Sequence, residues 1–328
     1  MRSIKAIRLH ARGGPEQLVY EDALEPSLRN GDALVRVCSC AITPTELTWS
    51  ATYTTRNGED RLPSIPGHEL SGVVEAVGPN AVDARVGDEV YALTDFWRDG
   101  AAAEYVAVNA ADLAPKPPSL GGVQAAAVPL AALTAWQALF DHAGLTIGQE
   151  ILIHGSTGGV GSFAVQLAHW RGAYVVGTTS ARNLDLAREL GADSVIDYNG
   201  ARFEEQVHGA DVVLDTVGGD TLERSWGVLR RGGVLVTIAG TAPHDKAAQY
   251  GVRGVNFIVK PSRAELKEIG RLIENRRLRP IIEATFPLEE ARRAFEYGAS
   301  GHNRGKIVLQ VAGEISADRD VPVARKAA

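Results

Sequence analysis

The segment Ile151-Leu-Ile-His-Gly-Ser-Thr-Gly-Gly-Val-Gly161 constrains this chain more than any other. An apolar run ends in glycines at 155, 158, 159 and 161, and a helical pattern over 159–170 follows at once. Glycines at 155, 158 and 161 permit a tight turn, let backbone amides approach a pyrophosphate, and allow the helix to pack closely on the strand. Taken alone, such a pattern also fits a tight turn with nothing bound, so its context decides. Strand patterns at 150–154, 174–178, 195–197, 212–215 and 234–239 alternate with helical ones at 159–170 and 183–190. That order specifies right-handed βαβ units on a parallel sheet, the setting that a nucleotide-binding glycine turn requires. Ser156, Thr157, Gly158, Gly159, Val160 and Gly161 are the expected phosphate contacts.

The end of the second strand narrows the cofactor. An NAD site places Asp or Glu about 20 residues beyond the glycines, on the ribose hydroxyls. Here the stretch is Gly177-Thr-Thr-Ser-Ala-Arg-Asn183, without an acid. Thr178 occupies the acid's position, Ser180 offers a hydroxyl, and Arg182 offers a planar guanidinium to a 2′-phosphate. NADP(H) is therefore the expected cofactor, with a merely solvated arginine as the alternative.

Around this unit the chain changes character. The first third is β-rich, with short runs at 33–37, 71–77 and 104–108 set between turn-forming residues, which suggests a small barrel or sandwich. Pro115-Lys-Pro-Pro118 and Gly121-Gly122 form a stiff boundary. An alanine-rich segment over 123–142 has a helical pattern that Pro129 should break or kink. Ser262 and Glu265 have capping-box spacing ahead of Leu266, Ile269, Leu272 and Ile273, which predicts a helix there. A further helix is expected over 288–297, then a turn at 301–305 and a strand over 306–311 that returns to the first domain. The fold class is thus α/β, with a discontinuous domain at 1–122 and 272–328 around a nucleotide-binding domain at 123–271. Residues 313–328 lack apolar periodicity and read as a frayed tail.

Composition removes other classes. Among the 328 residues, 34 Lys and Arg are outnumbered by 40 Asp and Glu, giving a net charge of −6, which argues against a nucleic-acid groove. No apolar run approaches the ~18 residues of a membrane span. The first residues, MRSIKAIRLHARGG, hold no apolar stretch of the secretory type, so a cytoplasmic location is expected. Cys38 and Cys40, two apart on one strand face, read as small buried apolar residues.

Pro66-Gly-His-Glu-Leu-Ser-Gly72, Val86-Gly-Asp-Glu-Val90, Ala103-Glu-Tyr105, Ala131-Ala-Leu-Thr-Ala-Trp136, the glycine turn, Asp215-Thr-Val-Gly-Gly219 and Gly305-Lys-Ile-Val-Leu309 occur in this order. Together they resemble the medium-chain dehydrogenase/reductase superfamily, and within it the zinc-free NADPH:quinone oxidoreductase-like group. The resemblance implies a GroES-like β-barrel with an inserted Rossmann domain. In zinc-containing relatives the metal is held at positions matching Thr43, His68 and the neighbourhood of Leu130. Only the histidine is retained here, and the four-cysteine lobe is replaced by 94–103, so no metal is expected. His68 then reads as a structural or pocket-lining residue.

Without a Lewis acid, the expected chemistry is hydride transfer from NADPH to a quinone or an α,β-unsaturated carbonyl, with hydrogen-bond donors meeting the oxyanion. The resemblance points to Tyr53 as a proton donor, or else as a wall residue, and puts Thr43 beside the reacting carbonyl. Trp49 and Trp97 would wall a flat acceptor. It also implies Thr134 at the nicotinamide, Tyr198 at the adenosine phosphate, and Asp215 to Val217 along the adenine. Ile238, Ala239 and Gly240 would lie at the nicotinamide ribose, with Asn303 and Arg304 in a closing turn. A homodimer through the Rossmann edge at 233–238 is implied as well. Enoyl-thioester reduction and a non-catalytic NADPH-binding or redox-sensing role stay open.

Overall fold

A computed structural model of the chain describes residues 2–301 and 303–312; the expected frayed tail lies outside the described residues. The alternating runs of the first third form β1 (Ser3–Leu9), β2 (Leu18–Leu24), β3 (Asp32–Ile42), β4 (Glu69–Val77), β5 (Glu89–Leu93), β6 (Tyr105–Asn109) and β7 (Ala114–Pro115), with a short helix, α1 (Ser50–Tyr53), between β3 and β4. Their inward residues, among them Val35, Val37, Cys40, Ile42, Leu70 and Val90, share one buried cluster.

In the next stretch Pro129 does not kink a long helix. It occupies the first turn of a new one, where its missing N–H and fixed φ cost nothing. Thus α2 (Gly122–Ala126) ends before it and α3 (Pro129–Trp136) begins at it. Val123, Ala126 and Ala127 pack on Ala41 and Val308, on the barrel side. By contrast α3 packs on α4 (Gly159–Arg171).

Six parallel strands follow: β8 (Glu150–His154), β9 (Tyr174–Thr179), β10 (Ser194–Asp197), β11 (Ala210–Asp215), β12 (Leu229–Thr237) and β13 (Arg253–Asn256), in the order β10-β9-β8-β11-β12-β13. The connections carry α4, α5 (Leu184–Glu189), α6 (Gly219–Ser225) and α7 (His244–Tyr250). One expectation is corrected here. The segment at 233–238 is not the sheet edge, because β12 pairs with β11 on one side and β13 on the other. Arg-Gly-Val-Asn, the true edge, is too short and polar to announce a strand.

After α8 (Arg263–Glu274) the chain returns to the barrel through β14 (Ile282–Pro287), α9 (Ala291–Ala299) and β15 (Lys306–Gln310). β15 lies antiparallel on β3, with Ile307 opposite Ile42 and Leu309 opposite Cys40, so the expected return strand is present. This pairing brings the end of β3 and the start of β15 together against the glycine turn. No helix among the described residues is long and apolar enough to cross a membrane.

Candidate active site

The glycine turn builds one wall. β8 ends at His154, and Gly155 turns the chain with φ +66, where a Cβ would come within 2.6 Å of the Thr216 hydroxyl. A Cβ on Gly161 would overlap the Gly155 carbonyl oxygen, so only glycine lets α4 start this close to the strand. Around Gly158 and Gly159 there is more room: the nearest atoms to an added Cβ are the Gly155 oxygen at 3.3 Å and Lys306 Cδ at 3.1 Å. The first N–H groups of α4 have no partner within the helix, and Gly158, Gly159 and Val160 line the cleft. This donor set suits a phosphate.

The cleft is about 1030 Å³ in volume and runs from Ser180, Asn183 and Tyr198 past the glycine turn to Thr43, Thr45, Thr48 and Trp49. Its far end is bounded by Phe203 and Arg224. The Arg224 guanidinium lies 4.7 Å over the Phe203 ring and pairs with Glu204 at 2.7 Å and Asp220 at 2.8 Å. Ser180 Oγ is buried there without a hydrogen-bond partner.

At the opposite end the barrel closes in. Gly305, with φ +69, donates its N–H to the Thr157 carbonyl at 2.9 Å and bridges to Gly158. The next residue, Lys306, is 5% exposed; it forms an ion pair with Glu69, 2.6 Å from Oε1, and donates to the Ile42 carbonyl at 3.1 Å and to Thr43 Oγ1 at 3.4 Å. Glu69 is fully buried and its other oxygen accepts the Leu130 N–H at 2.9 Å. Glu46, also buried, accepts from Gly67 N at 2.7 Å and from Thr43 N at 3.4 Å. Burial pushes its carboxyl up to about 7, against those two hydrogen bonds and the Lys306 charge.

His68 is engaged by protein groups. Its Nδ1 is 3.0 Å from Thr94 Oγ1, and its ring stacks on Trp49 and meets the edge of Phe96. Burial, followed by the Arg61 charge, pushes its pKa down to about 3, so it is neutral at ordinary pH. His154 ties β8 to its neighbours through Thr178 Oγ1 at 3.0 Å and Ser225 Oγ at 2.9 Å, and burial lowers it to about 4. Among the described residues no group of three or more His, Cys, Asp or Glu is arranged to hold a metal.

The fold brings Thr43, Thr157, Gly158, Gly159, Val160, Thr178, Ser180, Tyr198, Val217, Ile238, Ala239 and Asn303 into this one cleft. Tyr53, Thr134, Ser156, Gly161, Arg182, Asp215, Gly240 and Arg304 are not among the residues lining it. Tyr53 is buried in the barrel with its hydroxyl 2.5 Å from the Leu47 carbonyl, and the Arg12 guanidinium covers its ring. Its proton is directed at backbone, so the assignment of Tyr53 as donor is corrected. Thr134 spends its hydroxyl on the Leu130 carbonyl within α3, and Ser156 spends its own on the Thr178 carbonyl. Gly161 serves the helix–strand contact rather than the cavity, and Gly240 packs against Leu222. The Arg182 side chain is on the exposed surface, while its carbonyl accepts from Arg304 at 2.7 Å. Trp49 lines the cleft and Trp97 does not.

Lys306, Arg224 and Phe203 escaped the sequence reading. For Lys306 the signal was present in Gly305-Lys306, but its role depends on the pairing of two strands far apart in the chain. Phe203 and Arg224 stand isolated in polar stretches, with no periodic pattern to mark them.

Two family models match: "Alcohol dehydrogenase GroES-like domain" over residues 29–118 and "Zinc-binding dehydrogenase" over residues 190–309. The chain is 33% identical to the NADPH-dependent alkenal/one oxidoreductase of Arabidopsis thaliana, over 90% of this chain and 77% of that protein. It is 33% identical to the 2-methylene-furan-3-one reductase of Solanum lycopersicum, over 87% and 73%. The structure of the quinone oxidoreductase from Coxiella burnetii superposes with a TM-score of 0.86 at 32% identity, covering 95% of this chain and all of that one.

Proposed function

We propose that this chain, which belongs to the medium-chain dehydrogenase/reductase superfamily, is an NADPH-dependent reductase of quinones or α,β-unsaturated carbonyls that works without a metal. The observation that carries the reading is the continuity of one cleft from the free amides of α4 to the Thr43 and Trp49 wall. In it a dinucleotide and a flat acceptor can meet.

The bound cofactor would supply the hydride. The amides of Gly159 and Val160 would hold its pyrophosphate, while Thr178, Ser180 and Tyr198 would face the adenosine ribose and its phosphate. No carboxylate lines the cleft between 178 and 183 to claim a free 2′-hydroxyl, and the unpartnered Ser180 Oγ suits a phosphate oxygen. Leu130 and Ala131 form an apolar floor that keeps water from the reacting centre. Metal independence is supported by residue chemistry: threonine and leucine are poor zinc ligands, and His68 already engages Thr94. We further propose the domain division at 1–122 and 272–328 against 123–271, and pairing of two copies through the open edge of β13.

The test is loss of NADPH absorbance with a panel of quinones, enones and enoyl thioesters. Quinones or enones should be reduced best. No turnover with any acceptor would reject the enzyme reading, and a clear preference for thioesters would reject the substrate class. Metal analysis of the active protein should find substoichiometric zinc, and activity should survive chelation.

A further inference from the structure

We propose that Thr43 and Lys306 together form the oxyanion site of the cleft, with Thr43 donating to the acceptor's oxygen and Lys306 orienting and polarising Thr43. The inference rests on the reductase reading and supplies the electrophile that the reading leaves open once Tyr53 is excluded.

Several titratable groups stand at this end of the cavity. Two carboxylates approach it, Glu69 from β4 and Glu46 from the turn after β3, and both would repel a developing negative charge. Cys40, on β3, is fully buried, and burial together with those carboxylates pushes its thiol well up. His68 is neutral and bound to Thr94. Of the residues that line this end of the cleft, Lys306 on β15 carries a charge.

Hydrogen-bond valence then fixes Thr43. An ammonium has three N–H donors and no lone pair. Lys306 donates to the Ile42 carbonyl and to Thr43 Oγ1, and its charge is paired with Glu69 Oε1. Toward Lys306, therefore, Thr43 can only accept. Its own O–H must point elsewhere, and Thr43 lines the cleft. A threonine hydroxyl on an open surface rotates freely, whereas this one has a lone pair claimed by a cation that is itself clamped. Glu69 is clamped in turn by the Leu130 N–H, so the chain from Leu130 through Glu69 and Lys306 to Thr43 is assembled before any substrate arrives.

The chemistry needs such a donor. When a hydride reaches the β-carbon of an enone, the π electrons move to the carbonyl oxygen, and the same holds for the oxygen of a quinone. A hydroxyl whose oxygen accepts from an ammonium is a stronger donor than a free one, because the two bonds polarise each other in a low-dielectric site. Removing one preorganised oxyanion donor typically costs about 10²–10³ in kcat.

The test uses 4-nitrophenol, whose phenol and phenolate absorb differently, bound to the NADP⁺ complex. In the parent protein the phenolate-to-phenol ratio of the bound probe should exceed that of free probe by about tenfold, roughly one pKa unit. Lys306→Met and Thr43→Val should each return it toward the free value, while Lys306→Arg should keep it. Thr43→Val leaves the Lys306–Glu69 pair intact, so it reports even if Lys306→Met folds poorly. With an enone, kcat should fall about 10²-fold in each single variant, and the double variant should be little worse, as expected for two groups in one chain. If Lys306→Met weakens NADPH binding but leaves the probe ratio and enone kcat unchanged, Lys306 is a cofactor-phosphate residue and the proposal is overturned. An unchanged ratio in Thr43→Val overturns it as well. If the parent protein reduces no acceptor, the reductase reading fails, while the probe ratio still decides the oxyanion site.

Discussion

Replacing Glu46 by glutamine should change how stability depends on pH. The carboxyl is buried and its pKa rises from 4.5 to about 7, chiefly through burial. Below 4.5 the group is neutral in the folded and unfolded chains and contributes no penalty. As pH rises from 4.5 toward 7, the unfolded chain ionises it freely and the folded chain cannot, so stability is lost across that window. The shift, 7 minus 4.5, corresponds to about 3 kcal/mol at pH 8, at about 1.4 kcal/mol per unit. In Glu46→Gln the amide oxygen would still accept from the Gly67 N–H, but the 3.4 Å bond from Thr43 N would be lost, a pH-independent cost of about 1 kcal/mol. The variant should therefore be about 1 kcal/mol less stable than the parent at pH 4.5 and about 2 kcal/mol more stable at pH 8. Urea unfolding of both proteins across this range, followed by tryptophan fluorescence, measures the difference. A difference that does not vary with pH would show that Glu46 ionises normally and would refute the reasoning.

Three other outcomes follow from the site. Gly161→Ala places a Cβ on the Gly155 carbonyl oxygen, so α4 must move away from the turn; NADPH fluorescence titration should show at least about a tenfold loss of affinity, and unchanged binding would contradict the phosphate assignment. Ser180→Ala should weaken NADPH by about fivefold, near 1 kcal/mol, and leave NADH unaffected, whereas Arg182→Ala should change the NADPH-to-NADH ratio less; equal losses for both nucleotides would reject Ser180 as a 2′-phosphate ligand. His68, lowered to about 3, binds its proton in the unfolded chain first, so it contributes stability above pH 6.5 that is lost as pH falls. His68→Gln should remove about 2 kcal/mol of that acid sensitivity between pH 6.5 and 5, and parallel stability curves for variant and parent would count against a neutral buried histidine.

Much of the fold was legible because its signals are local. The glycines between strand and helix, the alternation of elements, Pro129 as a helix breaker and the apolar face of α8 each lie within a few residues, where period and backbone preference act directly. The edge strand β13 was not legible, since four residues with one apolar side chain carry no period. The glycine-turn end of the cleft was legible for the same reason as the elements around it: a turn and the helix after it are contiguous. Even there, the Ser156 hydroxyl is spent on the Thr178 carbonyl, as that of Thr134 is on the Leu130 carbonyl at the other end. A hydroxyl beside a site can be spent on a backbone carbonyl, and only packing reveals which way it points.

The acceptor end could not be read in this way. Tyr53 is close to Thr43 in sequence, yet one short helix turns it into the barrel core and onto the Leu47 carbonyl. Lys306 is 263 residues from Thr43, yet β15 lies against β3 and sets its ammonium beside the Thr43 hydroxyl. By itself the sequence specified a nucleotide-binding turn on a parallel sheet and a β-rich unit, barrel or sandwich, beside it, because those properties follow from local geometry and periodicity. Which side chains share the acceptor end, and which hydroxyl still has a proton to give, was decided by the tertiary structure. Burial there sets strands that are distant in the chain side by side, and the hydrogen-bond partners of each polar atom follow from that contact alone.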